Sequence, residues 1–165
     1  VSIGSHQPNS ADPIVFENQV FISGYPGIHG CTLLDISGNE PKALWESQGL
    51  FTGFTTAVWV DGYLYGRDAD YCQLRCLDWK TGKVLWGKSC KMISLTVSDK
   101  KLIILEEDGT LHIAKATPSA YKEFSFCKIP VEKKLNKWWT PPVLCGAKIY
   151  CRNYAGDLVC IDVSK

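Results

Sequence analysis

One six-residue pattern occurs four times in this chain and limits its possible folds more than any other feature. CTLLDI at residues 31–36, LRCLDW at 74–79, LHIAKA at 111–116 and LVCIDV at 158–163 align without gaps. Their starts lie 43, 37 and 47 residues apart. Apolar runs bounded by polar turns precede each copy, as expected of strands joined by hairpins. A unit of about 40 residues with several strands cannot bury its apolar faces alone, so neighbouring units must stack. That period predicts propeller blades and an all-β fold.

The most complete unit spans residues 74–86, LRCLDWKTGKVLW. It reads as a strand, a tight turn and a returning strand. Asp78 is placed to accept from turn amides, and Gly82 tolerates the positive φ such turns need. Trp86 offers a large apolar surface to a neighbouring unit. Cys76-Leu77-Asp78, Thr81-Gly82-Lys83 and Trp86 together resemble the tryptophan-docking motif of PQQ-like β-propellers, the repeat of quinoprotein alcohol dehydrogenases and BamB-like proteins. The usual alanine is Cys76 here. The other copies are degenerate: Asp35 and Trp45 match with two extra residues between them, Lys115 and Phe124 stand for Asp and Trp, and Asp162 has no Trp after it.

The resemblance covers residues 13–165. It implies four blades, approximately 13–47, 56–89, 94–126 and 140–165, the last ending before its fourth strand. Four such blades make half of an eight-bladed ring. The remaining blades would come from an upstream segment or a second copy of the chain. Relatives act mostly in the periplasm or at the cell surface, so an extracytoplasmic location is expected by resemblance.

Charge and composition exclude several classes. Eighteen basic residues against 17 acidic give a net charge of +1, with no basic footprint for nucleic acid. No apolar run approaches the length of a membrane span. There is no Gly-x-Ser-x-Gly, no Gly-x-Gly-x-x-Gly, and no Gly-Lys-Ser/Thr ending to the glycine-rich stretch at 24–30. Eight cysteines lack any C-x-x-C spacing, and His6, His29 and His112 are scattered, so no zinc site is expected. Cys76 and Cys160 share a repeat position and read as buried core residues. Cys72 with Cys76, and Cys145 with Cys151, are the pairs near enough in sequence to form disulfides in an oxidising compartment.

Two functions remain. The first is a non-catalytic scaffold or binding module with protein partners and no cofactor. The second, implied by the resemblance, is a dehydrogenase holding PQQ with Ca²⁺. Candidate ligand residues lie after the second strand of two blades, Tyr65-Gly66-Arg67-Asp68 and Tyr150-Cys151-Arg152-Asn153, offset by 85. Arg67 and Arg152 suit bidentate carboxylate binding. Asp68 suits a base or metal ligand, Asn153 occupies its counterpart, and Trp138 or Trp139 suits stacking on a planar ring. The ordinary alternatives are an interblade salt bridge for the arginines and blade packing for the tryptophans. Glu106 and Glu107 read as a solvated turn.

Overall fold

A computed structural model describes residues 10–24, 30–130 and 137–164. Most of the expected glycine-rich loop (25–29 of 24–30), most of the charged linker (131–136), His6 and His29 lie outside them. The strands are β1 (Ile14–Phe16), β2 (Gln19–Ser23), β3 (Cys31–Asp35), β4 (Lys42–Ser47), β5 (Val58–Val60), β6 (Tyr63–Asp68), β7 (Gln73–Asp78), β8 (Val84–Ser89), β9 (Ile93–Ser98), β10 (Lys101–Glu106), β11 (Thr110–Lys115), β12 (Lys122–Lys128), β13 (Val143–Cys145), β14 (Lys148–Arg152) and β15 (Leu158–Asp162). They form four antiparallel meanders in chain order: β1–β4, β5–β8, β9–β12 and the three-stranded β13–β15. No helix occurs among the described residues. The four sheets are propeller blades.

The hairpins follow from local chemistry. Asp61 and Gly62 both have positive φ, as do Asp99 and Lys100, and Gly146 and Ala147. Two left-handed residues in a two-residue loop match the twist of the flanking strands. The resulting register is the same in every blade. Gln19, Tyr63, Lys101 and Lys148 open the second strands opposite Asp35, Asp78, Lys115 and Asp162. Equivalent residues can therefore be compared one by one.

Alternation gives each sheet two apolar faces, and the blades bury them pairwise. Between sheets 1 and 2 lie Phe21, Leu33, Leu64, Leu77 and Trp79. Between sheets 2 and 3 lie Tyr65, Leu74, Cys76, Leu102 and Ile104. Between sheets 3 and 4 lie Ile103, Leu105, Leu111, Trp138 and Ile149. Each fully buried aliphatic side chain contributes about 1.5–3 kcal/mol.

The outer strands tie one sheet to the next. Trp45 on β4 donates its Nε1–H to the Trp79 carbonyl of sheet 2 at 2.9 Å. Its ring lies over the β7–β8 turn so closely that a Cβ on Gly82 would come within 2.6 Å of Trp45 Cε3. Asp78 Oδ1 holds that turn by accepting from the Thr81 amide (2.9 Å) and hydroxyl (2.8 Å). Trp86 on β8 repeats the device, donating to the Thr117 carbonyl of sheet 3 at 2.9 Å and meeting Tyr65 and Tyr121 with its ring.

Register corrects one sequence match. Sheets 1 to 3 carry a bulge at the same place, between Leu33/Leu34, Cys76/Leu77 and Ile113/Ala114. It sets Trp45 opposite Leu33, Trp86 opposite Cys76, and Ser125 opposite Ile113. Phe124 is thus the bulged residue, exposed like Leu44 and Leu85, and Ser125 holds the tryptophan position. The docking contact is missing between sheets 3 and 4.

All eight cysteines are free thiols. Cys145 and Cys151 belong to adjacent strands, but their registers, opposite Lys148 and Val159, send them to opposite faces. Cys72 is exposed at the β6–β7 turn, whereas Cys76 is buried between sheets 2 and 3. Cys160 is exposed, not buried, because no described sheet covers its face of sheet 4.

The fit between Trp45 and Gly82 gives a direct test. At Gly82 φ is +67°, so Gly82→Ala meets both backbone strain and the indole. The expected loss in urea unfolding is about 2 kcal/mol. In a Trp45→Ala background the same change should cost about half as much, leaving only the strain.

Candidate functional site

Repeat equivalence exposes a polar pair inside two of the three blade interfaces. The second strands of sheets 2 and 3 end in an acid, Asp68 and Glu106, and the third strands carry a base at the same register, Arg75 and His112. Both pairs face the preceding blade. In sheet 4 the positions hold Asn153 and Val159, and in sheet 1 Gly24 and Thr32.

Asp68 is therefore a strand residue, not the loop residue expected from sequence. Its side chain is fully buried and lies 2.9 Å from Arg75 Nη1, without the alignment of a hydrogen bond. Burial pushes the Asp68 carboxyl above its usual range, and Arg75 opposes the shift. Arg75 also donates to the Gly49 carbonyl (2.9 Å) and Gln73 (3.1 Å) and lies over the Tyr71 ring. The pair joins sheet 2 to the segment entering it from sheet 1.

The other sequence candidates are dispersed. Arg67, also on β6, faces sheet 3, and its Nε is buried without a hydrogen-bond partner. Arg152 ends β14 and is exposed. Asn153 is buried and closes the β14–β15 loop, donating to Asp157 Oδ2 at 2.8 Å and accepting from the Asp157 amide at 2.9 Å. Trp138 is buried between sheets 3 and 4, and Trp139 stands half-exposed against Tyr154 and Lys137. None of Arg67, Asp68, Arg152, Asn153 and Trp138 lines the groove between sheets 2 and 3 or the one between sheets 3 and 4.

A groove of about 240 Å³ between sheets 2 and 3 gathers residues that the sequence did not bring together. Leu74 and Ile104 contribute its apolar surface, and Cys90, Glu106, His112 and Glu123 give it polar walls. Glu123 Oε2 lies 2.7 Å from His112 Nδ1 and accepts from the Tyr121 hydroxyl at 2.8 Å. His112 Nε2 points toward Glu106 at 3.9 Å. Burial raises the Glu123 carboxyl, but the bonds from Tyr121 and His112 outweigh it and hold the group below the ordinary range. Burial and the nearby Glu106 push the Cys90 thiol up to about 12. A thiol so placed stays protonated at neutral pH and is no nucleophile. The groove is equipped to bind a polar or cationic group. The signal available in sequence was the second letter of LRC and LHI, a basic residue on a strand that neighbouring blades cover on both faces.

Glu106 thus faces a groove instead of solvent, while Glu107 pairs with Lys137 at 3.4 Å. Among the described residues no group of three or more His, Cys, Asp or Glu is arranged to hold a metal ion. No described helix is long and apolar enough to cross a membrane.

Breaking the buried ion pair should be costly. Asp68→Ala leaves Arg75 charged and desolvated, with an expected loss of about 3 kcal/mol in chemical denaturation. Asp68→Leu combined with Arg75→Met should recover most of it. The acid limb tests the groove. The lowered Glu123 contributes stability that is present above its unfolded pKa, near 4.3, and is lost as pH falls through the lower folded value. Glu123→Gln should therefore flatten the decline in thermal stability below about pH 4.5.

Comparison with known proteins agrees with the blades. The family described as outer membrane protein assembly factor BamB matches residues 2–88, just over half of the chain. No curated protein matches it in sequence. Among solved structures, BamB from Moraxella catarrhalis superposes with a TM-score of 0.69 at 17% identity, over 88% of this chain and 43% of that one. The computationally designed Ika4 protein gives 0.71 at 13% identity, over 98% and 94%. The N-terminal domain of Nup159 gives 0.62 at 14%, over 90% and 39%. At these identities the likeness is one of fold, and the chain spans less than half of the BamB chain it matches. With the docking tryptophans and the repeated register, the match places this chain in the PQQ-like β-propeller family described as outer membrane protein assembly factor BamB.

Proposed function

We propose that this chain is part of a non-catalytic PQQ-like propeller that serves as a binding scaffold in an extracytoplasmic protein assembly. The observation that carries the reading is the outward face of sheet 4. There Val143, Tyr150, Leu158 and Cys160 repeat, position for position, Val58, Tyr65, Leu74 and Cys76 of sheet 2. Leu74 is 2% exposed against sheet 3, and Leu158 is 66% exposed. An apolar row that one blade buries and another leaves open marks a face for another polypeptide to cover. Further blades, from an upstream segment or a second copy, are the first partner. A completed ring then offers its loops and grooves to others.

Two further features support a scaffold. Asp68, Asn153 and Trp138, the residues suited by type to ligand chemistry, are engaged in holding sheets and turns together. The family description names an assembly factor, and the periplasmic location of such proteins is carried to this chain as part of the proposal.

The test is a titration of PQQ with Ca²⁺ into the full protein, read by tryptophan quenching, beside a deletion of its gene. The scaffold reading expects no saturable quenching and a lowered level of assembled outer membrane proteins. Saturable quenching that Arg67→Ala or Arg152→Ala weakens at least tenfold would replace it with a dehydrogenase.

A further inference from the structure

The three blade interfaces fill the same outer space in three different ways. Between sheets 1 and 2 it holds the docked Trp45 together with Phe16, Trp59 and Trp79, whose rings stack or meet edge to face. Between sheets 2 and 3 the positions of Phe16, Trp59 and Trp79 are Val60, Val97 and Ala116, and Trp86 occupies the space. Between sheets 3 and 4 the same positions are Ser98, Leu144 and Val163, and the tryptophan position is Ser125. None of the four is aromatic. The result is a half-open groove of about 250 Å³, with Ile103, Ile113, Leu144, Ile149 and Val163 as its apolar lining and Asp99 and Lys101 also on its wall.

The backbone around this groove keeps the form of an occupied one. The Val163 amide donates to Ala147 O at 2.9 Å, as Trp79 donates to Gly62 O (3.0 Å) and Ala116 to Lys100 O (2.9 Å). The Trp79 carbonyl receives the Trp45 indole and the Thr117 carbonyl, one residue past Ala116, receives the Trp86 indole, so the Val163 and Ser164 carbonyls stand where an indole N–H is received. Volume is adequate: an apolar cavity of roughly 150 Å³ suffices to hold benzene. The groove is also continuous with the buried core between sheets 3 and 4, so a ring placed in it extends an existing interface.

We propose that the groove between sheets 3 and 4 is a docking seat for one tryptophan side chain supplied by a partner polypeptide. The indole takes the place that Trp45 and Trp86 take in the other interfaces, its faces against the isoleucines and its N–H toward the Val163 or the Ser164 carbonyl. The seat goes beyond the scaffold reading and shares with it only the premise of a polypeptide partner. PQQ binding would sink that reading and leave the seat intact.

The probe is N-acetyl-tryptophanamide, titrated into the full protein with isoleucine methyl groups labelled for NMR. Saturable shifts at Ile103, Ile113 and Ile149, with a Kd on the order of 0.1–1 mM, are expected. N-acetyl-leucinamide should bind at least tenfold more weakly. Ser125→Trp fills the seat from within, so it should raise Tm by about 3 °C and abolish the shifts. Ser98→Phe, which restores the ring present at Phe16, provides a second block and should weaken binding at least tenfold. The proposal falls if the amide produces no saturable shifts, if both variants bind it as well as the unmodified protein does, or if free indole binds and the amide does not.

Discussion

The assembly depends on an indole reaching across from one sheet to the next. A four-stranded meander has two apolar faces and no means of fixing its angle to a neighbour, because apolar burial is not directional. The Trp45 and Trp86 contacts supply direction. Each joins a half-buried ring to a hydrogen bond on a backbone carbonyl of the following sheet. The first also needs Gly82, since any side chain there would displace the ring. Ser47, two residues along the strand, donates to the Gly82 carbonyl and fastens the same turn a second time.

Polar pairs buried between the sheets work against burial and with orientation. Asp68 and Arg75 pay desolvation that a pair of leucines would not, and a buried ion pair is weak evidence of added stability. What the pair adds is a fixed relation between β6, β7 and the Gly49 carbonyl of the segment arriving from sheet 1. At the same register His112 and Glu106 stand farther apart, and His112 turns its other nitrogen to Glu123. Loosening the direct pair opens the interface there into a groove. The same two repeat positions make a closed joint in one interface and an open groove in the next.

Much of the fold was legible because alternation and turn chemistry agree. Asp61-Gly62 announced a hairpin, and the four copies of the third strand set the blade count. Register was the part that failed. One bulged residue per blade moves the tryptophan position from Phe124 to Ser125, and no local pattern marks a bulge. The site was less legible than the fold. Arg67 and Asp68 are adjacent in sequence but face different blades, so a motif read along the chain joined residues that the pleat separates. His112 and Glu123 are 11 residues apart and meet only because β11 and β12 are paired. Cys160 read as core because its repeat partner Cys76 is core, which is true of the position and not of this copy.

That last case turns degeneracy into information. In a repeat fold every position is sampled several times, so a residue's exposure can be judged against its equivalents and not against an average surface. Leu158 would be unremarked on an isolated sheet. Beside the buried Leu74, Leu111 and Cys31, it marks a face that lacks the neighbour the other three possess. Ser125 would be an ordinary exposed serine on an outer strand. Beside Trp45 and Trp86 it marks where an interface has given up its anchor, and Ser98, Leu144 and Val163 put no ring in its place. Sheets 3 and 4 are held together instead from the inner side, where the buried Trp138 packs with Leu105, Leu111 and Ile149. Moving the large ring from the outer strand to the connection between blades keeps the joint closed at its core and leaves its rim open.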